Sequence, residues 1–208
     1  MPRAPTFFTM APAAREITVD EPRTRTPARL FDEYLAAAAR AGDRAAFGRL
    51  VERWQPKLLA HAWRLMGESE AARDVVQDAW ADIARGLAKL DDAALFPAWA
   101  YRVVSRRAAD AIRGRMRTRR TNAAFEREPA PPEDAAERME GAADAGRLRQ
   151  AIAALPAEQR AAVALFYLEE FRVAEVAAAL GVPVGTVKTR LMHARTKLRS
   201  ALKGETHG

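Results

Sequence analysis

From Leu30 to about Arg117 apolar side chains return every three or four residues and strand-like alternation is nearly absent, so the pattern predicts packed helices and no sheet. A first helix is expected from about Leu30 to Ala41, with Gly42 ending it. Asp43 is placed to cap a second, which turns Ala46, Phe47, Leu50, Val51 and Trp54 inward. Pro56 allows a bend or a restart before Leu58, Leu59, Ala62, Leu65 and Met66. Gly67 closes that stretch, and Ser69 is the expected cap of a helix whose inward set is Val76, Trp80, Ile83 and Leu87. Phe96 and Pro97 open the last helix of this bundle, where the missing proline N–H costs nothing.

A second helical unit follows, in which Leu148, Ile152 and Leu155 lead to a helix begun by Pro156 and carrying Ala161, Val163, Leu165 and Leu168. Its end, Arg172 to Arg199, has the pattern of a helix-turn-helix. Val173, Val176, Ala177 and Leu180 form one inward stripe, and Gly181 is suited to positive φ at the helix end. Val182 and Pro183 turn the chain, and Val187, Leu191, Ala194 and Leu198 form the next stripe. Thr186, Lys188, Thr189, Arg190, His193, Arg195 and Lys197 then fall on or near the outer face, where Lys and Arg suit phosphates and guanine edges. The fold expected is all-α, with two small helical domains at 29–118 and 147–203. A proline-containing tail (1–28), expected to be disordered, precedes them, and a flexible acidic linker (119–146) joins them.

Charge sharpens this picture. The net charge of +7 is concentrated in two blocks, +7 over residues 101–120 and +5 over 147–208, with −5 over 121–146 between them. Two cationic surfaces on one chain suit a polyanion. Over the run Phe96 to Arg120, Trp99 and Tyr101 are interleaved with eight arginines against the single acid Asp110, a mixture suited to unpaired bases as well as to backbone. Upstream, Asp74, Asp78 and Asp82 recur every four residues opposite Val76, Trp80 and Ile83, an acidic stripe that is either solvated or docks a basic partner.

Other chemistry finds little support. There is no cysteine, and His61, His193 and His207 are far apart, which argues against a metal site. No apolar run is long enough to span a bilayer, and no signal-peptide pattern is present, so a cytoplasmic protein without membrane insertion is expected. Neither a nucleophile elbow nor a phosphate-binding glycine loop occurs, and neither enzyme activity nor a cofactor is expected.

In their order along the chain, AGDRAAFGRLVERWQPKLLAHAWRLMG (41–67), AARDVVQDAW (71–80), FPAWAYRVVSRRAADAIR (96–113), LPAEQRAAVALFYLEEF (155–171) and EVAAALGVPVGTVKTRLMHARTKLR (175–199) resemble the sigma-70 family of RNA polymerase specificity subunits, in particular its extracytoplasmic-function (ECF) group. The resemblance spans about Leu35 to Leu202 and implies a sigma region 2 bundle followed by a sigma region 4 helix-turn-helix. It assigns Asp74, Gln77 and Asp78 to binding core RNA polymerase. Trp99, Tyr101, Arg102, Arg106, Arg107 and Arg113 fall to the minus-ten element, and Thr186, Lys188, Thr189, Arg190, His193 and Arg195 to the minus-thirty-five element. Promoter DNA, core polymerase and an anti-sigma factor are the implied partners, with a monomer when free. Arg172 stands where the family's usual Ser or Thr cap would be, and Arg106 where Asn is common. A rival reading of the same helix-turn-helix is a homodimeric repressor or activator on a palindromic operator.

Overall fold

The computed structural model describes residues 26–121 and 142–203; residues 1–25 of the expected tail and 122–141 of the expected linker lie outside them. Every regular element among the described residues is helical: α1 Pro27–Arg40, α2 Arg44–Met66, α3 Ser69–Gly86, α4 Phe96–Thr121, α5 Ala142–Ala153, α6 Ala157–Tyr167, α7 Val173–Leu180 and α8 Val184–Lys203. Two short 3₁₀ turns, Leu87–Lys89 and Ala93–Leu95, connect α3 to α4.

Local chemistry sets most of the helix ends. Thr26 caps α1, and the Asp43 carboxylate accepts from the backbone N–H groups of Ala45 and Ala46 at 2.8 and 3.0 Å. Gly67 and Gly181 end α2 and α7 with φ of +74° and +64°, conformations that a β-carbon would oppose. Two expectations need correction. Ser69 is the first residue of α3 and not its cap, because Glu68, with extended backbone, occupies that position; the Glu68 carboxylate pairs with Arg115 at 2.7 Å. Pro56 does not restart the chain, since α2 runs unbroken through it from Arg44 to Met66. At Arg172, whose side chain cannot accept a hydrogen bond, the Glu175 carboxylate takes the Arg172 backbone N–H at 2.6 Å and so satisfies one free donor of α7.

Helices α1–α4 and α6–α8 share one apolar core. In the first group Leu35, Leu50, Trp54, Leu58, Val76 and Ile83 are buried, and in the second Leu165, Val176, Val187 and Leu191. Helices α4 and α7 pack closely, and α6 lies against α2. The seam centres on Tyr101, which is fully buried. Its ring meets Trp54 at 5.7 Å, His61 at 4.9 Å and, across the seam, Phe171 at 5.5 Å, all edge to face. Each such pair contributes about 1 kcal/mol beyond burial.

Ion pairs and hydrogen bonds close the seam's rim. Lys57 reaches Glu169 at 3.1 Å, Arg29 reaches Glu175 at 3.4 Å and the carbonyls of Glu169 and Glu170 at 3.3 Å, and Arg160 donates to the Arg64 carbonyl at 2.8 Å. Glu170, in the turn between α6 and α7, carries a positive φ of 53°. Inside the rim the fit is poorer in polar terms. Trp54 Nε1, His61 Nδ1 and Tyr101 Oη have no hydrogen-bond partner among the described residues. A buried polar group left unpaired costs about 1 to 3 kcal/mol.

His61 makes one hydrogen bond, Nε2 to Ser105 Oγ at 2.9 Å. Burial, and then the Arg64 charge, push its pKa down to about 3. The folded chain therefore keeps His61 neutral where the unfolded chain protonates it, so this residue's contribution is retained above about pH 6.5 and lost as pH falls toward 3. Urea unfolding at pH 7.5 and at pH 5 should show the native chain losing about 2 kcal/mol more than His61→Gln between those conditions. Equal losses would mean that the imidazole is not held neutral.

Candidate nucleic-acid interface

Helix α8 presents its cations without an acidic residue among its 20 positions. Val187, Leu191 and Ala194 are buried, as their spacing predicts, and Lys188, Thr189, His193 and Lys197 are exposed. Thr186 is half-buried. Arg190 is turned toward α6, where its Nη2 lies 2.5 Å from Glu158 Oε2 and its side chain is only 18% exposed. Arg195 donates from Nε to Tyr167 Oη at 2.8 Å. Lys188, Met192, Arg195, Thr196 and Arg199 line a shallow groove along the outer face. Met192 is 55% exposed and was not among the expected site residues. Its four-residue spacing from Lys188 puts it on that face, but its apolar character draws it toward the core in a reading by hydrophobicity.

Helix α4 presents a different picture. Trp99 is half-buried, packing on Phe96 at 6.3 Å and covering Gly86, where a β-carbon would come within 2.9 Å of the indole. Tyr101 is in the core and offers no face to a base in this packing. Arg102 is exposed, and its guanidinium rests on Gly181, so near that a β-carbon there would fall 1.2 Å from Nη1. Ser105, Ala108, Ala109 and Ile112 face Leu180 and Val182 across a cleft of about 320 Å³ between the two groups of helices. Arg106 is exposed, and Arg113, also exposed, pairs with Asp110 on its own helix.

Arg107 is engaged with α3: Nε lies 2.5 Å from Asp82 Oδ2, and Nη1 lies 3.7 Å from Asp78 Oδ2. The Arg107 hydrogen bond is the largest influence holding the Asp82 pKa down to about 2; burial opposes it, and Arg85 adds a smaller push in the same direction as Arg107. Asp74, Gln77 and Asp78 are exposed on α3. Beside them α2 and α3 enclose an apolar groove of about 450 Å³ lined by Pro56, Leu59, Trp63, Ala72 and Arg73, which periodicity did not reveal because it arises from two helices together. Polar stripe and apolar groove side by side suit a helical protein partner.

The sigma-70 region 2 model matches residues 50–118 and the sigma-70, region 4 model matches residues 145–198. The ECF RNA polymerase sigma factor SigM of Mycobacterium tuberculosis (strain ATCC 25618 / H37Rv) is 36% identical over 174 residues, covering 82% of this chain and 84% of its own. This chain belongs to the ECF group of the sigma-70 family. The ECF RNA polymerase sigma-E factor of Escherichia coli (strain K12) is 30% identical over 175 residues, covering 80% of this chain and 91% of its own. Two solved structures share the fold. One is the sigma factor RpoE in complex with the anti-sigma factor NepR from Bartonella quintana, with a TM-score of 0.62 and 25% identity over 76% of this chain and 98% of that one. The other is CnrH in complex with the cytosolic domain of CnrY, with a TM-score of 0.58 and 26% identity over 85% and 99%.

Membership sets the homodimeric-regulator reading aside, because both matched regions belong to polymerase specificity subunits. No helix among the described residues is long and apolar enough to cross a membrane. In this sigma factor Arg107 joins α4 to the acidic stripe. Arg107→Ala should therefore let Asp82 rise from about 2 toward the ordinary carboxylate value of about 4, read by carboxyl NMR titration. An unchanged Asp82 would remove Arg107 as the cause.

Proposed function

We propose that this ECF sigma factor divides its work among three surfaces: α3 for core RNA polymerase, α4 for the minus-ten element and its melting, and α8 for the minus-thirty-five element. What supports the assignment most is the contrast between α8, whose outer face is cationic and open, and α3, whose exposed face carries Asp74, Gln77 and Asp78 beside an apolar groove. We take residues 29–118 and 147–203 as the two working units. The chain works in the cytoplasm as a monomer when free, is restrained by an anti-sigma factor, and performs no covalent chemistry.

Binding to polymerase does more than tether in this reading. Phe171 covers Tyr101 and α7 lies across the Ser105 to Ile112 face of α4, so bases cannot reach that face while the units are packed together. Core polymerase holds the units apart, uncovers α4 and sets the spacing at which two weak, electrostatic contacts act as one bivalent reader. Melting follows from capture of extruded bases on the uncovered α4 segment, offsetting an unstacking cost of a few kcal/mol per step.

Lys188→Ala with His193→Ala should abolish upstream-element footprinting by the reconstituted holoenzyme and leave core binding within about two-fold of native. Asp74→Arg with Asp78→Arg should weaken core binding by at least about ten-fold, since it places cations where anions dock. Core affinity by fluorescence anisotropy and run-off transcription read both. If the two pairs of substitutions lose both activities alike while their thermal midpoints match the native chain, the division of labour is wrong.

A further inference from the structure

Two arginines of α8 are held from the same neighbouring helix by groups of opposite character. Glu158, in the first turn of α6, pairs with Arg190, whose side chain is 18% exposed against 69% for the glutamate. Tyr167, the last residue of α6, accepts from Arg195 Nε at 2.8 Å, and the guanidinium carbon lies 5.9 Å from the centre of its ring. Arg195 lines the outer groove of α8, and its terminal nitrogens have no partner among the described residues.

The difference in chemistry matters. A phenol hydroxyl is neutral at physiological pH, so it fixes the guanidinium and leaves its charge and terminal N–H donors for a bidentate contact. Fixing also removes rotamer freedom that a flexible arginine would lose on binding. A carboxylate does the reverse: it neutralises Arg190 and competes with phosphate for the same donors. We propose that α6 sorts these arginines, with Tyr167 positioning Arg195 to clamp a DNA phosphate and Glu158 withholding Arg190 from DNA. The proposal rests on α8 being the DNA-reading helix, and Tyr167 is a positioning residue because it acts through Arg195.

The test uses the full chain and a fluorescent mixed-sequence DNA duplex of about 30 base pairs, titrated from about 50 to about 200 mM salt. Tyr167→Phe removes only the hydroxyl and should weaken binding about five-fold. The same change should do nothing further in an Arg195→Ala background, and Arg195→Ala should lower the salt slope by about 0.9. Arg190→Ala alone should leave affinity near native. Glu158→Gln should tighten binding and steepen the slope by about 0.9, an effect that disappears when Arg190→Ala is added. Thermal midpoints should be the same for all variants.

A Tyr167→Phe loss that persists in the Arg195→Ala background, or that comes with a lowered thermal midpoint, overturns the positioning role. An Arg190→Ala loss as large as that of Lys188→Ala overturns the withholding role. A different result marks failure of the underlying reading: if the native chain does not bind the duplex, or Lys188→Ala binds as well as native, α8 is not the DNA-reading helix and this inference falls with it.

Discussion

The placement of Tyr101 constrains everything else in this chain. Its ring is fully buried between Trp54 and His61 of α2 on one side and Phe171 of the second group on the other. The residue lies on α4, the helix proposed to take the minus-ten element, and the same side chain serves both the core and the join between the two groups of helices. Rigid packing of that kind stabilises a folded chain and at the same time covers the α4 face proposed to meet DNA.

The two units therefore stand in different states of readiness. Helix α8 offers Lys188, Thr189, His193 and Lys197 to solvent with no first-group helix across them. Helix α4 has Arg102 resting on Gly181 and its neighbouring face covered by α7. Arg107 pairs with Asp82 and Asp78, which links α4 to α3. A segment of net charge −5 over residues 121–146 separates the two cationic blocks along the chain.

Much of this was legible before any coordinates. Helix spacing located the inward stripes, and Gly42, Gly67, Gly181 and Asp43 marked helix ends because positive φ and side-chain capping are local requirements. The cap of α3 is not legible because Glu and Ser stand side by side, and only the extended backbone at Glu68 places it before the helix that Ser69 begins. Of the bend or restart expected at Pro56, the restart is absent, since α2 continues through it. The burial of Tyr101 and the capture of Arg107 and Arg190 could not be read, since each depends on a partner 25 or more residues distant. For the same reason the α2–α3 groove and the Tyr167 contact with Arg195 emerged only when helices were brought together.

The central claim is that polymerase parts two units that the free chain packs together. The chain has no cysteine, so Ala37→Cys on α1 with Ser200→Cys on α8 gives a clean pair of labelling sites, both exposed. Pulsed electron-electron spin resonance between spin labels at those sites should give one narrow distance for the free chain and a clearly different, longer one once core RNA polymerase is added. A distance that stays the same on binding, while the labelled chain still supports promoter-dependent transcription, would contradict the account.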